Sequence, residues 1–287
     1  MALFEYQTAF KRTLGWITEQ EQDTLRKATV AIAGLGGVGG SHLLTLARLG
    51  IGRFAVADYD VFELHNMNRQ AGATISALGR PKVDVLCEKA LDINPELEIE
   101  RFPNGIDAGN VDRFLDGADV YVDGLDFFVY DIRQLVFRQA ATRHIPAFTA
   151  APLGMSVAFL AFHPGGISFE RYFQLDPELE EDEKALRFML GLAPSGLHAA
   201  SLINPSAIDL KGQSGPSTPM ACELCAGVMG TEVLKWLLQR GTTYWAPWAV
   251  QFDAYRMRVR RTWRPGGNAH PVQRLGLWLA RRRLLGQ

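Results

Sequence analysis

Cysteine is scarce in this sequence. With only three, two of them in a single Cys-x-x-Cys at Cys222 and Cys225, the chain cannot build the disulfide framework of a small secreted domain. Long apolar runs are missing too: no stretch approaches the roughly 18 uninterrupted apolar residues of a spanning helix, so no membrane partner is expected. The opening "MALFEYQTAFKRTLGW" lacks the basic-then-apolar order of a signal peptide, and a cytoplasmic location is expected. Net charge is nearly absent, at -1 from Lys+Arg 30 and Asp+Glu 31, so no whole-molecule field favours nucleic acid or an acidic membrane, and neither is an expected partner. The six histidines show no metal spacing, and no carboxylate follows Asp253.

What is present is a chain of 287 residues, 47% hydrophobic, able to bury a substantial core. From about residue 28 to 162, β-type runs such as "ATVAIAG", "RFAVADYD", "LEIERFP", "DVYVDGLD", "IPAFTAA" and "SVAFLAFHP" alternate with helical patterns. That alternation predicts an α/β fold: a Rossmann-like doubly wound sheet, mostly parallel, with antiparallel strands added toward the C-terminus. The expected organisation is a nucleotide-binding core over 1–164, an insertion or lid loop over 165–221, and a closing segment over 222–287. The insertion carries an acidic run, an apolar helix "ALRFMLGLA" and a Ser/Pro/Gly-rich loop. The closing segment reads as a helix, a strand pair "WAVQFDAYRMRVRRTW" and a basic amphipathic helix with Leu275, Leu277, Trp278, Leu279 and Leu284 on its apolar side. No internal repeat is apparent.

Directly after the first strand, Gly34, Gly36 and Gly39 fit G-x-G-x-x-G and open a helix. Such a turn sets phosphates on a helix N-terminus, and the spacing alone suits NAD, FAD, S-adenosylmethionine or ATP. Asp58, about twenty residues on, ends the second strand where a ribose hydroxyl lies. Asp60 is a competing candidate, and either acid could instead cap a turn. The next segment brings Asn66, Arg69, Gln70 and Lys82 to the carboxyl edge of the sheet. A dinucleotide carried through a redox cycle needs no such cations, whereas a triphosphate with a leaving pyrophosphate does. Asp126, closing "DVYVDGLD", could hold Mg²⁺ bridging the phosphates, or cap the following helix. Asp123 faces the other way by strand alternation, or lies in the turn.

At these residues the sequence resembles the ThiF/MoeB/HesA superfamily of adenylating enzymes that activate ubiquitin-like proteins. The resemblance rests on G-x-G-G-x-G at Gly34, Gly36, Gly37 and Gly39, on D-x-D-V-x-x-x-x-N-x-x-R-Q at Asp58 to Gln70, on Gly79-Arg80-Pro81-Lys82, on "INP" at Ile93 to Pro95 and on Asp126. It implies that Asp58 binds ribose, that Asn66, Arg69, Gln70 and Lys82 handle the triphosphate, and that Asp126 supports Mg²⁺. It also implies a homodimer in which an arginine near the N-terminus reaches the partner's phosphates, with Arg12 the best match. The implied reaction is attack of a substrate carboxylate, on a ubiquitin-like protein, a peptide or a small molecule, at the ATP α-phosphate to give an acyl adenylate and pyrophosphate.

Many relatives carry two Cys-x-x-Cys pairs that bind zinc. Here only Cys222 and Cys225 stand in such a pair, with Cys87 elsewhere and His163 or His198 as the conceivable completions, so zinc is not expected. Cys225, read as lying near a helix N-terminus, is a candidate thioester nucleophile; a packing role for the pair is the simpler reading. Two other functions compete. A nicotinamide-dependent oxidoreductase fits the glycine turn and Asp58 but leaves Asn66 to Lys82 unexplained. A tRNA-modifying dehydratase of the same superfamily has the basic C-terminus as its hint.

Overall fold

The structure is a computed structural model that describes residues 4–209 and 212–284, with the side chains of Arg283 and Leu284 outside the description. The expected apolar contribution of Leu284 therefore lies outside the described residues. The chain divides into two compact units, one of residues 1–125 and 226–243, the other of 126–225 and 244–287.

The first unit opens with α1 (Tyr6–Phe10) and α2 (Glu19–Lys27). Thr18 starts α2 through a capping box: its hydroxyl accepts from the Glu21 amide while the Glu21 carboxylate accepts from the Thr18 amide. Then come β1 (Thr29–Ala33), α3 (Gly39–Leu49), β2 (Arg53–Ala57), α4 (Lys82–Ile93), β3 (Glu98–Phe102), α5 (Val111–Phe114) and β4 (Val120–Asp123). The strand order is β3-β2-β1-β4, all parallel, with Ala33 in register with Ala57 on one side and Asp123 on the other. Val30, Ala31, Ile32 and Ala33 of β1 are wholly buried, as a strand covered on both faces must be. Because β1 is central and its two neighbours leave it by crossovers in opposite directions, the carboxyl ends of β1, β2 and β4 open one crevice.

The second unit begins with α6 (Tyr130–Thr142), followed by β5 (Ala147–Leu153), β6 (Ser156–Phe162), α7 (Phe169–Phe173) and α8 (Glu181–Leu192). The long helix α9 (Pro219–Leu237) contains the cut between units, and β7 (Trp248–Asp253), β8 (Arg258–Trp263) and α10 (Pro271–Leu284) complete the chain. Here the order is β5-β6-β7-β8, all antiparallel. Antiparallel pairing starts at β5 because only Gly154 and Met155 separate it from β6, too few residues for a crossover. The expected mixed sheet, parallel first and antiparallel toward the C-terminus, is the one observed. Within 165–221, α8 contains the expected apolar helix "ALRFMLGLA", and the short α7 precedes it. Among the described residues no helix is long and apolar enough to cross a membrane.

The buried side of α3 carries one costly residue. His42 is fully buried, neither ring nitrogen has a hydrogen-bond partner among the described residues, and burial lowers its pKa to about 3. The unfolded chain, with His42 near 6.5, binds the proton first, so native stability falls as pH drops below about 6.5 toward 3. Urea midpoints measured from pH 7 to pH 4 are expected to fall less steeply for His42→Leu than for the wild type. Identical pH slopes would show that His42 does not govern this loss.

Candidate functional site

The site in the first unit is built where β1 turns into α3. Gly34 has φ +83°, and a Cβ there would lie 2.3 Å from the Gly124 carbonyl oxygen. A Cβ on Gly39 would lie 1.8 Å from the Gly34 oxygen, so both glycines are demanded by backbone packed on backbone. Gly36 differs: a Cβ on it would meet only the Gln70 amide nitrogen, at 3.8 Å. Nothing among the described residues forbids a side chain at Gly36. Together with its half-buried neighbour Gly37, it forms an open stretch of the loop, a candidate cradle.

Asp58 follows β2 and is buried. Its Oδ2 accepts the Leu35 amide at 2.6 Å and its Oδ1 accepts the Asp60 amide at 2.8 Å. Burial raises its pKa, against the opposing pull of those two amides and of Lys82. Asp60 takes a role the sequence did not assign: its Oδ2 is 2.9 Å from the Lys82 ammonium, and its carbonyl accepts the Lys82 amide at 2.9 Å. Lys82 is the first residue of α4 and is buried, so its charge is held at the helix start by a half-exposed carboxylate.

A second line of contacts converges on the same loop. Asn66 is buried in a short turn, with its Oδ1 accepting the Glu63 amide at 2.9 Å and its carbonyl accepting the Arg69 and Gln70 amides. Arg69 donates to the His65 carbonyl and to the Asn68 side chain. Gln70 is buried beside Gly36, and its Oε1 has no hydrogen-bond partner among the described residues. A buried acceptor without a donor costs about 1–3 kcal/mol, so Gln70 holds an acceptor ready beside the cradle. Lys82 thus reaches the loop through Asp60 and Asp58, and Asn66 reaches it through Gln70.

Other expected residues fall elsewhere. Arg12 is exposed on the turn Lys11–Thr13. Asp126 does not close β4, which ends at Asp123; it is exposed in the second unit, with its Oδ1 accepting the Phe128 amide at 3.1 Å. The strand stops early because buried Asp123 accepts the Leu125 amide at 3.2 Å and Gly124 leaves the ladder to press on Gly34. Arg133, which the sequence did not single out, holds the Asp126 loop by donating to the Asp126 and Val129 carbonyls, each at 2.8 Å. Cys225 is corrected in position: α9 starts at Pro219, well before it, and burial pushes the thiol well above its ordinary range. Cys222 is equally buried, Cys87 is buried in α4, His198 is bonded to Gln251, and His163 accepts the Gly165 amide.

The sequence matches the ThiF family over residues 10–273. The chain belongs to the ThiF family. Among curated relatives, this ThiF-family chain is 34% identical over 142 residues to the tRNA threonylcarbamoyladenosine dehydratase of Bacillus subtilis (strain 168), covering 49% of this chain and 55% of that protein. It is 30% identical over 162 residues to the adenylyltransferase and sulfurtransferase MOCS3 of Arabidopsis thaliana, covering 54% of this chain and 33% of that protein. The chain thus spans about half or less of the length of these two relatives. Among solved structures, PaaA aligns with TM-score 0.66 at 17% identity, over 91% of this chain and 74% of that one. E. coli MccB with ATP aligns with TM-score 0.62 at 19% identity, over 84% and 65%. These likenesses show the ThiF-type fold.

The two kinds of glycine separate in a direct test. Gly39→Ala is expected to lose the folded state, read as loss of the cooperative thermal transition. Gly36→Ala is expected to melt like the wild type yet lose nucleotide binding by calorimetry. Unchanged binding by Gly36→Ala would remove the cradle from the site.

Proposed function

We propose that this chain is an ATP-dependent adenylyltransferase of the ThiF type, activating a substrate carboxylate as an acyl adenylate. The supporting observation is the convergence of the Lys82–Asp60–Asp58 line and the Asn66–Gln70 line on a glycine loop whose Gly36 faces open space. A cation and amides beside a phosphate cradle serve to offset charge on a leaving pyrophosphate. A redox dinucleotide, whose pyrophosphate stays whole, leaves them without a task. In the proposed step a carboxylate oxygen attacks the α-phosphorus. The new P–O bond forms as the α–β phosphoanhydride breaks, and the bonding electrons leave with pyrophosphate. The nucleophile is already ionised, so positioning and charge supply the rate.

In this reading Asp58 receives the ribose hydroxyls, Gly34 to Gly39 the phosphates, and Lys82 and Arg69 the charge that develops on the leaving group. Asp126 would hold Mg²⁺ through ATP; its Oδ2 makes no hydrogen bond among the described residues, and a bound Mg²⁺ supplies positive charge at the phosphates. A homodimer accompanies the proposal, with Arg12 offered to the partner's site. Large apolar side chains exposed on the β2–α4 connection, Tyr59, Leu64 and Ile75 foremost among them, give such an interface its apolar content.

A second reading has one observation in its favour: the 34% identity to a tRNA threonylcarbamoyladenosine dehydratase. Under it the activated carboxylate belongs to a modified base of tRNA. AMP release that requires tRNA bearing threonylcarbamoyladenosine would select this reading over a protein or peptide substrate.

Calorimetry with ATP and Mg²⁺ is expected to show binding that Lys82→Ala weakens about tenfold or more, the loss of a charge-assisted contact. Tighter binding of NAD⁺ or NADP⁺, indifferent to Lys82, would overturn adenylation. Sedimentation is expected to give a dimer that Leu64→Glu turns to monomer; a monomeric wild type would remove Arg12 from the site.

A further inference from the structure

The second unit ends its sheet on β8, which pairs with β7 on one side and forms the sheet edge on the other. β7 buries Ala249, Gln251 and Asp253, but five of the six residues of β8 are exposed. The strand reads Arg-Val-Arg-Arg-Thr-Trp, so Arg258 and Arg260 share one face while Val259, Arg261 and Trp263 share the other. On that second face Val259 is 63% exposed and Trp263 55% exposed. Trp263 lies opposite Trp248, ring centroids 6.2 Å apart, and Trp248 is 5.9 Å from Tyr244. Arg261 lies 4.9 Å over the Tyr244 ring and donates to its hydroxyl.

Charge says what fits this edge. Residues 254–287 carry nine arginines and no carboxylate. The side chains of Arg258 and Arg260 make no ion pair or hydrogen bond among the described residues, whereas Arg187 and Arg281 are paired with Glu183 and Arg256 with Asp253. An edge strand often carries cations to repel unwanted pairing, and bare arginines would suffice for that. The exposed Val259 and Trp263 beside them work against repulsion. A second copy of this chain is the wrong occupant, since two-fold pairing of β8 with itself sets like charges against each other.

We infer that β8 receives an extended acidic peptide segment of a partner protein as an added strand. Its backbone continues the antiparallel ladder, its alternate carboxylates pair with Arg258 and Arg260, and its intervening apolar side chains lie on Val259 and Trp263. The inference rests on the β7–β8 hairpin alone and holds whether or not the chain adenylates.

The test is fluorescence anisotropy of the full chain with a short labelled peptide alternating Glu and Val. The same peptide N-methylated at alternate residues keeps its charge but loses ladder donors, and labelled oligouridylate serves as an anionic competitor. The alternating peptide is expected to bind, and N-methylation or the double change Arg258→Glu with Arg260→Glu is expected to weaken it about tenfold or more. Circular dichroism of the double variant, on these exposed positions, is expected to match the wild type. Absence of binding, or binding indifferent to both changes, would overturn strand addition. Tighter binding of oligouridylate with the same arginine dependence would overturn it in favour of a single-stranded nucleic acid.

Discussion

The Asp58 carboxylate organises the candidate site. One oxygen fixes the Leu35 amide inside the glycine loop and the other fixes the Asp60 amide, and Asp60 in turn holds Lys82. A single side chain therefore sets where the cradle lies relative to the cation beside it. The arrangement is costly: burial outweighs the two amides and Lys82, so the Asp58 pKa is raised. A carboxyl whose folded pKa lies above its unfolded value contributes stability only while protonated, and that contribution is lost as pH rises through the folded pKa. Folding by itself thus favours the protonated form of this group. Hydrogen bonds donated to the charged form favour it, which is what a hydroxyl-bearing ligand would add.

The glycines divide along the same line between fold and ligand. Gly34, Gly39 and Gly124 let three pieces of backbone touch, and this contact positions the N-terminus of α3 over the carboxyl end of β1. Gly36 has no such duty. Buried Gln70, with an acceptor lacking a donor beside Gly36, is the polar counterpart of that open space. Local packing accounts for the first group of residues and leaves the second group unexplained unless something occupies the cradle.

Much of this was legible because it is local. Glycine spacing after an apolar run, alternation of strand and helix, and the Gly154–Met155 turn are short-range signals that determine the loop, the parallel layer and the change to antiparallel pairing. The gathering of Asn66, Gln70 and Lys82 near the loop was legible in kind, because all lie between β2 and the start of α4. Their partners were not. Lys82 and Asp60 are 22 residues apart, and nothing in periodicity says that Asp60 takes the lysine while Asp58 takes the amides. The end of β4 was misread for a similar reason: "DVYVDGLD" alternates through Asp126, but Gly124 must leave the ladder to reach Gly34, a tertiary demand absent from the local pattern. For Cys225 the missing signal was present, since Pro219 is a residue that begins helices.

Net charge near zero concealed a different kind of order. The last 34 residues hold arginine without carboxylate, so the preceding chain holds the excess acid. Where acid from that earlier part meets an arginine of the C-terminal segment, the result is fixed structure. Burial pushes the Glu183 carboxyl up, but hydrogen bonds from Arg281 and Arg187 hold it below its ordinary value, and α10 is thereby fastened to α8. Similarly, Arg256 is spent on Asp253 and on the Leu197 carbonyl. Such pairing removes a guanidinium from recognition, because its directional donors are already satisfied. Arg258 and Arg260 of β8 differ in that their side chains have no such partner among the described residues, so an acidic ligand need displace only solvent. Segregated charge in a nearly neutral chain therefore has two uses, and the presence or absence of an internal carboxylate at each arginine distinguishes them.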